Sequence, residues 1–346
     1  MGPPSAVAEI RRAVRRVLTG LGPGDLVLAA CSGGADSLAL AAALAFEAPR
    51  RGMRAGGVTV DHGLQAGSAE QASRVARVLK EIGLDPVLAV TAEVTARGSG
   101  PEAAARDARY AALDRAAAQA GAAAILLGHT MDDQAETVLL GLARGSGARS
   151  LAGMAVRNGR FLRPLLAVSR EQTAAACAAL GLSAWQDPQN TDPSFARVRV
   201  RTRVLPVLER ELGPGVTQAL ARTAAQLRAD ADLLDELAKT NTERMTAAGP
   251  SLPAGSLAAL PMALRTRVLR AAAISAGSPP AALTWAHVLS LDALVTDWHG
   301  QRGTDLPGGC RAVRRYGRLI FTRAQAGDGA SAADAGSGGA CAGAEI

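Results

Sequence analysis

Apolar residues fall along this chain in two alternating textures, short unbroken runs and longer stretches in which they recur at helical spacing. The runs "LVLAAC" (26–31), "RAGGVTV" (54–60), "PVLAVTAEV" (86–94) and "AAAILLGH" (122–129) are apolar on both faces and end in turn residues, as buried strands of a parallel sheet do. Between them, 38–46, 68–84 and 101–121 read as helices, the last opened by Ser99, Gly100 and Pro101. Val7, Ile10, Val14, Val17 and Leu21 predict an amphipathic first helix, and "RFLRPLLAVSREQTAAACAALGL" (160–182) a fifth strand–helix unit. Alternation of this kind implies an α/β fold, a doubly wound parallel sheet whose ligand lies at the carboxyl ends of the strands.

From about Pro214 the texture changes to successive helices, followed by "LPGGCRAVRRYGRLIFTR" (306–323), a hairpin turning through Tyr316-Gly317-Arg318. The expected organisation is an α/β domain over 1–212, a smaller, mainly helical domain with a C-terminal hairpin over 213–325, and a disordered low-complexity tail over 326–346. A chain of 346 residues has room for two cores. Its longest apolar run is far too short to cross a bilayer, which predicts a soluble protein with no membrane partner. Four scattered cysteines with no CxxC argue against a zinc or iron–sulfur site and fit a reducing cytoplasm. The net charge of +7 suggests an anionic partner, nucleic acid foremost. Only Lys80 and Lys239 among the 38 basic residues are lysines, an arginine bias that a GC-rich genome alone produces, so charge supports and the motifs decide.

The first motif is SGGADS, comprising Ser32, Gly33, Gly34, Ala35, Asp36 and Ser37, between a strand and a helix. Gly-Gly with Ser and Asp also makes ordinary turns and caps. At a strand end and helix start, however, unpaired amides and the helix dipole favour an anion, and two glycines let the backbone approach it. No lysine follows the glycines as in a Walker loop, and a carboxylate beside polyphosphate calls for a cation such as Mg²⁺ bridging Asp36 and phosphate. Two more strand ends carry chemistry: Asp61 and His62 in "VDHGL", and His129, Asp132, Asp133 and Glu136 in "LGHTMDDQAETVLL". Acids at a helix start suit the macrodipole, but His129, Asp133 and Glu136 at spacings of four and three share a helical face, which favours a functional cluster. In "ARDARY", Arg106 and Arg109 lie one turn apart, equally consistent with a shared anion and with a solvated face.

SGGADS resembles the PP-loop of the ATP pyrophosphatase superfamily, an adenine nucleotide alpha hydrolase-like fold that cleaves ATP between its α and β phosphates. SGGADS, VDHGL, ARDARY, LGHTMDDQAETVLL, RGSG, "GM" (153–154), "RPLL" (163–166), "DPQNTDPSFARVRVR" (187–201) and "LP" (205–206) occur in the order of bacterial tRNA(Ile)-lysidine synthetases, in a short form of that family. The match runs from about 26 to 210, with a weaker one at "DLPGGCRAVRRYGRL". Gln65, Val198 and Arg203 depart from the family's commoner Arg, Asn and Glu.

The resemblance implies an ATP-dependent ligase that joins L-lysine to C2 of the wobble cytidine of the CAU-anticodon isoleucine tRNA through an adenylated base. It implies that the PP-loop with Asp61 and His62 binds ATP, that Asp36 holds Mg²⁺, and that Arg109 contacts the α-phosphate or the adenylated base. Asp133 and Glu136 would bind lysine beside His129, and Arg197, Arg199 and Arg201 the tRNA. Two alternatives stand: a PP-loop thiolase, which normally uses cysteine pairs, and a non-catalytic nucleotide-binding module, which has no need of the His129, Asp133 and Glu136 cluster. The oligomeric state is open between monomer and homodimer.

Overall fold

The computed structural model describes residues 2–323 apart from 62, 64–66, 94–100, 146, 248 and 250, and leaves the side chains of 101–103, 188 and 189 undescribed. His62, Gln65, Ser99, Gly100, Cys341 and the tail 326–346 therefore lie outside the described residues. Helix α1 (Ser5–Val17) is followed by β1 (Leu26–Ala30), α2 (Ala35–Glu47), β2 (Arg54–Asp61), α3 (Ser68–Glu81), β3 (Val87–Thr91), α4 (Pro101–Ala120), β4 (Ala122–Leu126), α5 (Met131–Ala143) and α6 (Ala148–Leu151). A narrow hairpin of β5 (Arg157–Asn158) and β6 (Phe161–Leu162) then leads to α7 (Arg170–Ala179), α8 (Ala196–Arg199), α9 (Leu205–Leu212) and the long α10 (Val216–Thr246).

The strands form one sheet in the order β3-β2-β1-β4-β6-β5, parallel except for β5. Along β1, Leu26 and Leu28 pack with Val58, Ile125 and Leu113, Ala116 and Ala117 of α4. Val27 and Ala29 turn the other way, into a core built from α1, α2, α3 and α7. Both faces of β1 are thus covered, and this is why its sequence is an unbroken apolar run. Strand order reverses at β1, whose neighbours β2 and β4 lead away in opposite directions, so the crevice between the ends of β1 and β4 is the switch point of the fold.

Between α8 and α9 the helix widens into a π turn over Val200–Val204, where Leu205 N–H bonds to Val200 O. Pro206 has no N–H to give Thr202 its α-helical bond, and widening the preceding turn accommodates that loss.

Contacts divide the chain into units 1–231 and 232–346, inside α10, whereas the texture of the sequence suggested a division at the turn before that helix. The second unit holds β7 (Leu252–Pro253), α11 (Ala254–Ala258), α12 (Met262–Ser275), α13 (Trp285–Thr296), β8 (Thr304–Leu306), β9 (Cys310–Arg315) and β10 (Arg318–Arg323). Its antiparallel sheet runs β7-β10-β9-β8. Leu252, Leu306, Cys310, Ala312 and Leu319 join Leu269, Leu291 and Leu294 in its core. A buried Arg265–Asp292 pair, 2.6 Å from Nε to Oδ1, ties α12 to α13.

Candidate active site

The loop after β1 is held by its own side chains. Ser37 Oγ donates to Gly34 O at 2.9 Å and accepts from Ser32 N–H at 3.3 Å. Gly34 is the N-cap of α2, which places Ala35, Asp36 and Ser37 in a first turn whose amides have no intrahelical partners. Gly33 has φ +89°, and a Cβ there would lie 2.8 Å from Val75 Cγ2, so the loop closes over α3 only with glycine. Ser32 is exposed at the loop's mouth.

The loop after β4 lies directly against it. A Cβ on Gly128 would be 3.3 Å from backbone atoms of Asp36 and Ser37. Thr130 N–H and Oγ1 both donate to Asp133 Oδ2, at 2.8 and 3.0 Å, so Asp133 spends one oxygen on capping α5. His129 precedes this cap. The helical face expected of residues 129, 133 and 136 therefore belongs only to Asp133 and Glu136, because α5 starts at Met131 and His129 lies in the loop before it.

Arginines from two later helices converge on these acids. Arg170, the first residue of α7, places Nη2 3.0 Å from Asp133 Oδ1 and 3.3 Å from Glu136 Oε1, with Nε 3.8 Å from Asp36 Oδ2 and Nη1 3.9 Å from Asp132 Oδ1. Its own N–H donates to Asp132 Oδ2 at 2.8 Å, and one turn later Thr173 Oγ1 hydrogen-bonds Asp36 Oδ1. Arg197 and Arg201, on α8 and the π turn, grip Glu136 with Nε atoms at 2.6 and 2.7 Å. The Glu136 side chain is 0% exposed. Arg199 points away, to the carbonyls of Pro193 and Ser194, and Arg203 is exposed.

Burial and charge set the protonation of these groups. Burial raises the Asp36 carboxyl against the opposing pull of Thr173 and Arg170. For Asp133 burial works upward too, yet Arg170, Arg197 and the Thr130 amide together hold it below the usual carboxylate range. Burial, reinforced by Arg163, Arg109 and Arg197, lowers His129 to about 3 against the pull of Asp133, so its ring is neutral at pH 7. Its Nδ1 is buried with no hydrogen-bond partner among the described residues. Arg109 is solvent-accessible, yet the surrounding protein lowers its pKa, with Arg106 and Arg197 adding repulsion. Arg106 and Arg109 both lie over the Tyr110 ring, 5.1 and 6.0 Å from its centroid. Asp61 ends β2 and accepts the Gly63 N–H at 2.9 Å.

No group of three His, Cys, Asp or Glu side chains is placed to hold a metal among the described residues. Magnesium delivered on ATP needs only one or two protein carboxylates. Asp36 fits that role, since its Oδ2 accepts no hydrogen bond among the described residues.

Residues 8–208 match the profile of the PP-loop domain ATP_bind_3, and 252–320 that of the TilS substrate binding domain. The chain is 59% identical over 321 residues to the tRNA(Ile)-lysidine synthase of Thermobifida fusca, covering 93% of this chain and 99% of the relative. It is 54% identical over 350 residues to that of Streptomyces coelicolor, again with 93% and 99% coverage. The Mycobacterium bovis enzyme of the same name is 45% identical over 328 residues, covering 92% and 98%. The chain belongs to the tRNA(Ile)-lysidine synthase family. Among solved structures, the U34-tRNA thiolase NcsA from Methanococcus maripaludis, solved with its 4Fe-4S cluster, matches with a TM-score of 0.55 at 18% identity, covering 64% of this chain and 78% of that one. At that identity the likeness extends to the fold.

In this member of the lysidine synthase family the separate motifs pack into one body. Gln134 brackets Met154, donating to its carbonyl at 2.9 Å and accepting its N–H at 2.6 Å. Buried Arg163 of RPLL reaches Ala155 O at 3.0 Å and the Tyr110 hydroxyl of ARDARY at 3.2 Å. Arg170 and Thr173 were not singled out by sequence reasoning. The signal that finds them is Ser169 and Gln172, a capping box that sets Arg170 at a helix start behind a strand end.

The buried neutral imidazole gives a pH prediction. Because His129 is depressed in the folded state, it favours folding above its unfolded value near 6.5 and loses that contribution as pH falls toward about 3. Between pH 7.5 and 5.5 it should lower stability by about 1 kcal/mol, a loss that His129→Asn abolishes. Urea midpoints at the two pH values check this, and an equal drop in both proteins assigns the acid sensitivity elsewhere.

Proposed function

We propose that this chain converts the wobble cytidine of the CAU-anticodon isoleucine tRNA into lysidine in the cytoplasm, consuming ATP and L-lysine. The observation that carries the reading is the contact, across Gly128, between a phosphate-binding loop and an arginine-populated acidic cluster at one switch point. In the first half-reaction O2 of cytosine attacks the α-phosphorus, an O–P bond forms, and pyrophosphate leaves. In the second the lysine ε-amine, having lost a proton, attacks C2. A C–N bond forms, the C–O bond breaks, and AMP departs with the oxygen.

The loop amides of Ala35 to Ser37 bind phosphate, and Arg109 contacts the α-phosphate or the adenylated base. Magnesium bound to ATP would offset the charge that builds on pyrophosphate, with Asp36 as its protein ligand. Asp133 and Glu136 meet lysine through an exchange. Their oxygens are held by Arg170, Arg197 and Arg201, so a lysine ammonium enters as an arginine turns to the incoming polyphosphate. A carboxylate so released accepts the ammonium proton. Arg199, on the exposed side of α8, is the member of the 197–201 set free to approach the tRNA backbone, while Arg197 and Arg201 act through Glu136.

Labelled lysine should enter unmodified isoleucine tRNA in an ATP-dependent reaction releasing one AMP per lysine. AMP release with no lysine incorporated, or transfer of sulfur in its place, overturns the reading.

A further inference from the structure

The β9–β10 hairpin carries two local features that each oppose folding. Tyr316 is fully exposed and sits at φ 51°, the left-handed region that disfavours a bulky side chain, with Gly317 at φ 71° beside it. A two-residue turn with positive φ at both positions is best made by Asn-Gly, yet here an aromatic stands at the first position. Directly beneath it, the strand register pairs Arg315 with Arg318, like charges on one face of an antiparallel ladder. Arg318 is partly satisfied by Ser251, through Oγ and the carbonyl at 2.6 Å each. Arg315 is exposed, with no polar partner among the described residues.

The same register puts Val313 opposite Ile320, and Arg311 opposite Thr322, on that face. Both aliphatic residues are only half-buried, because the core of the second unit takes Cys310, Ala312 and Leu319 from the opposite face. Arg314 shares that inner side, donating to the carbonyls of Leu294 and Val295 at the end of α13. One face of the hairpin is therefore structural. The other is half-buried along its length, with Arg311 paired to Asp305 at 2.7 Å, and becomes open and cationic only at the tip, where Arg315 and Arg318 flank the exposed Tyr316 ring.

We infer that the tip Tyr316, with Arg315 and Arg318, is an RNA contact in which the ring stacks on an unpaired or terminal base and the two guanidiniums take flanking phosphates. Stacking on a base and charge neutralisation by phosphate are the interactions that make both unfavourable features useful, and RNA supplies them together. An acidic protein surface would pair with the arginines but has no use for a free ring held in a strained turn. The inference rests on tRNA being the substrate and adds the surface of the second unit that meets it.

The test uses the full chain. Tyr316→Asn restores the favoured turn residue, so the melting temperature should hold or rise while the KM for tRNA increases about tenfold. At saturating tRNA, kcat and the KM for ATP and lysine should stay unchanged. Tyr316→Phe should keep the wild-type KM, and Arg315→Ser should reduce the log–log salt slope of tRNA binding by about 0.7. An unchanged tRNA KM in Tyr316→Asn, an unchanged slope in Arg315→Ser, or a fall in melting temperature that accounts for the KM overturns the inference. If the wild-type chain modifies no tRNA at all, the failure lies in the functional reading instead; wild-type modification with tRNA constants indifferent to the tip is failure of the hairpin contact alone.

Discussion

Glu136→Ala should lose both activity and stability. The substitution leaves Arg197 and Arg201, and one edge of Arg170, facing each other without the carboxylate they share. Removing one partner from a buried ion pair costs about 3–5 kcal/mol, chiefly because the remaining charge stays desolvated. These arginines are about a quarter exposed and can turn partly to water, which puts the expectation at the lower end of that range. Lysine incorporation should fall by about 10²- to 10³-fold, as for loss of a preorganised charged group. Glu136→Gln keeps the shape and one acceptor oxygen, so it should recover much of the stability and little of the activity. Chemical denaturation beside a turnover assay checks both, and a stable, active Glu136→Ala enzyme removes the cluster from the mechanism.

The Asp36→Ala enzyme should separate the two properties that Glu136→Ala joins. Burial already raises the Asp36 carboxyl, so the folded state gains little from its charge, and its side chain is 27% exposed. Melting temperature should therefore hold or rise, as is usual when a strained functional group is removed. ATP-dependent pyrophosphate release should nevertheless drop by about 10²-fold or more, since the carboxylate beside the phosphate loop is gone. Near-normal release at saturating magnesium dismisses Asp36 as the metal's protein ligand.

What the sequence disclosed and what it concealed divide along chain separation. SGGADS is legible because strand, loop and helix are contiguous, so a local pattern specifies where its amides point. Asp133 and Glu136 are legible as a pair for the same reason. Their partners are not: Thr173 lies 137 residues from Asp36, and Arg201 lies 65 from Glu136. Nothing in local periodicity announces which distant helix will dock there. Alternation of Arg197, Arg199, Arg201 and Arg203 with valines by itself fits a strand edge, whereas Pro206 and the family resemblance point to a helix. It becomes a helix because Val200 and Leu205 bury against Ala135, which directs Arg197 and Arg201 to one side and Arg199 to the other. His129 has the spacing of a helical face with Asp133 but lies outside α5, because the cap is Thr130 and the helix begins at Met131.

Pairing within the cluster also governs how the site looks from a distance. Four carboxylates grouped beside the loop after β1 would, left bare, push away both a nucleotide and a nucleic acid during approach. Here Arg170, Arg197 and Arg201 interleave with Asp36, Asp132, Asp133 and Glu136, one charge short of balance. Beyond a Debye length of about 10 Å such an arrangement is nearly silent. The encounter of this protein with a polyanion is then steered by its surface arginines and net charge of +7, so collision frequency responds to ionic strength while the clustered acids exert little repulsion until contact.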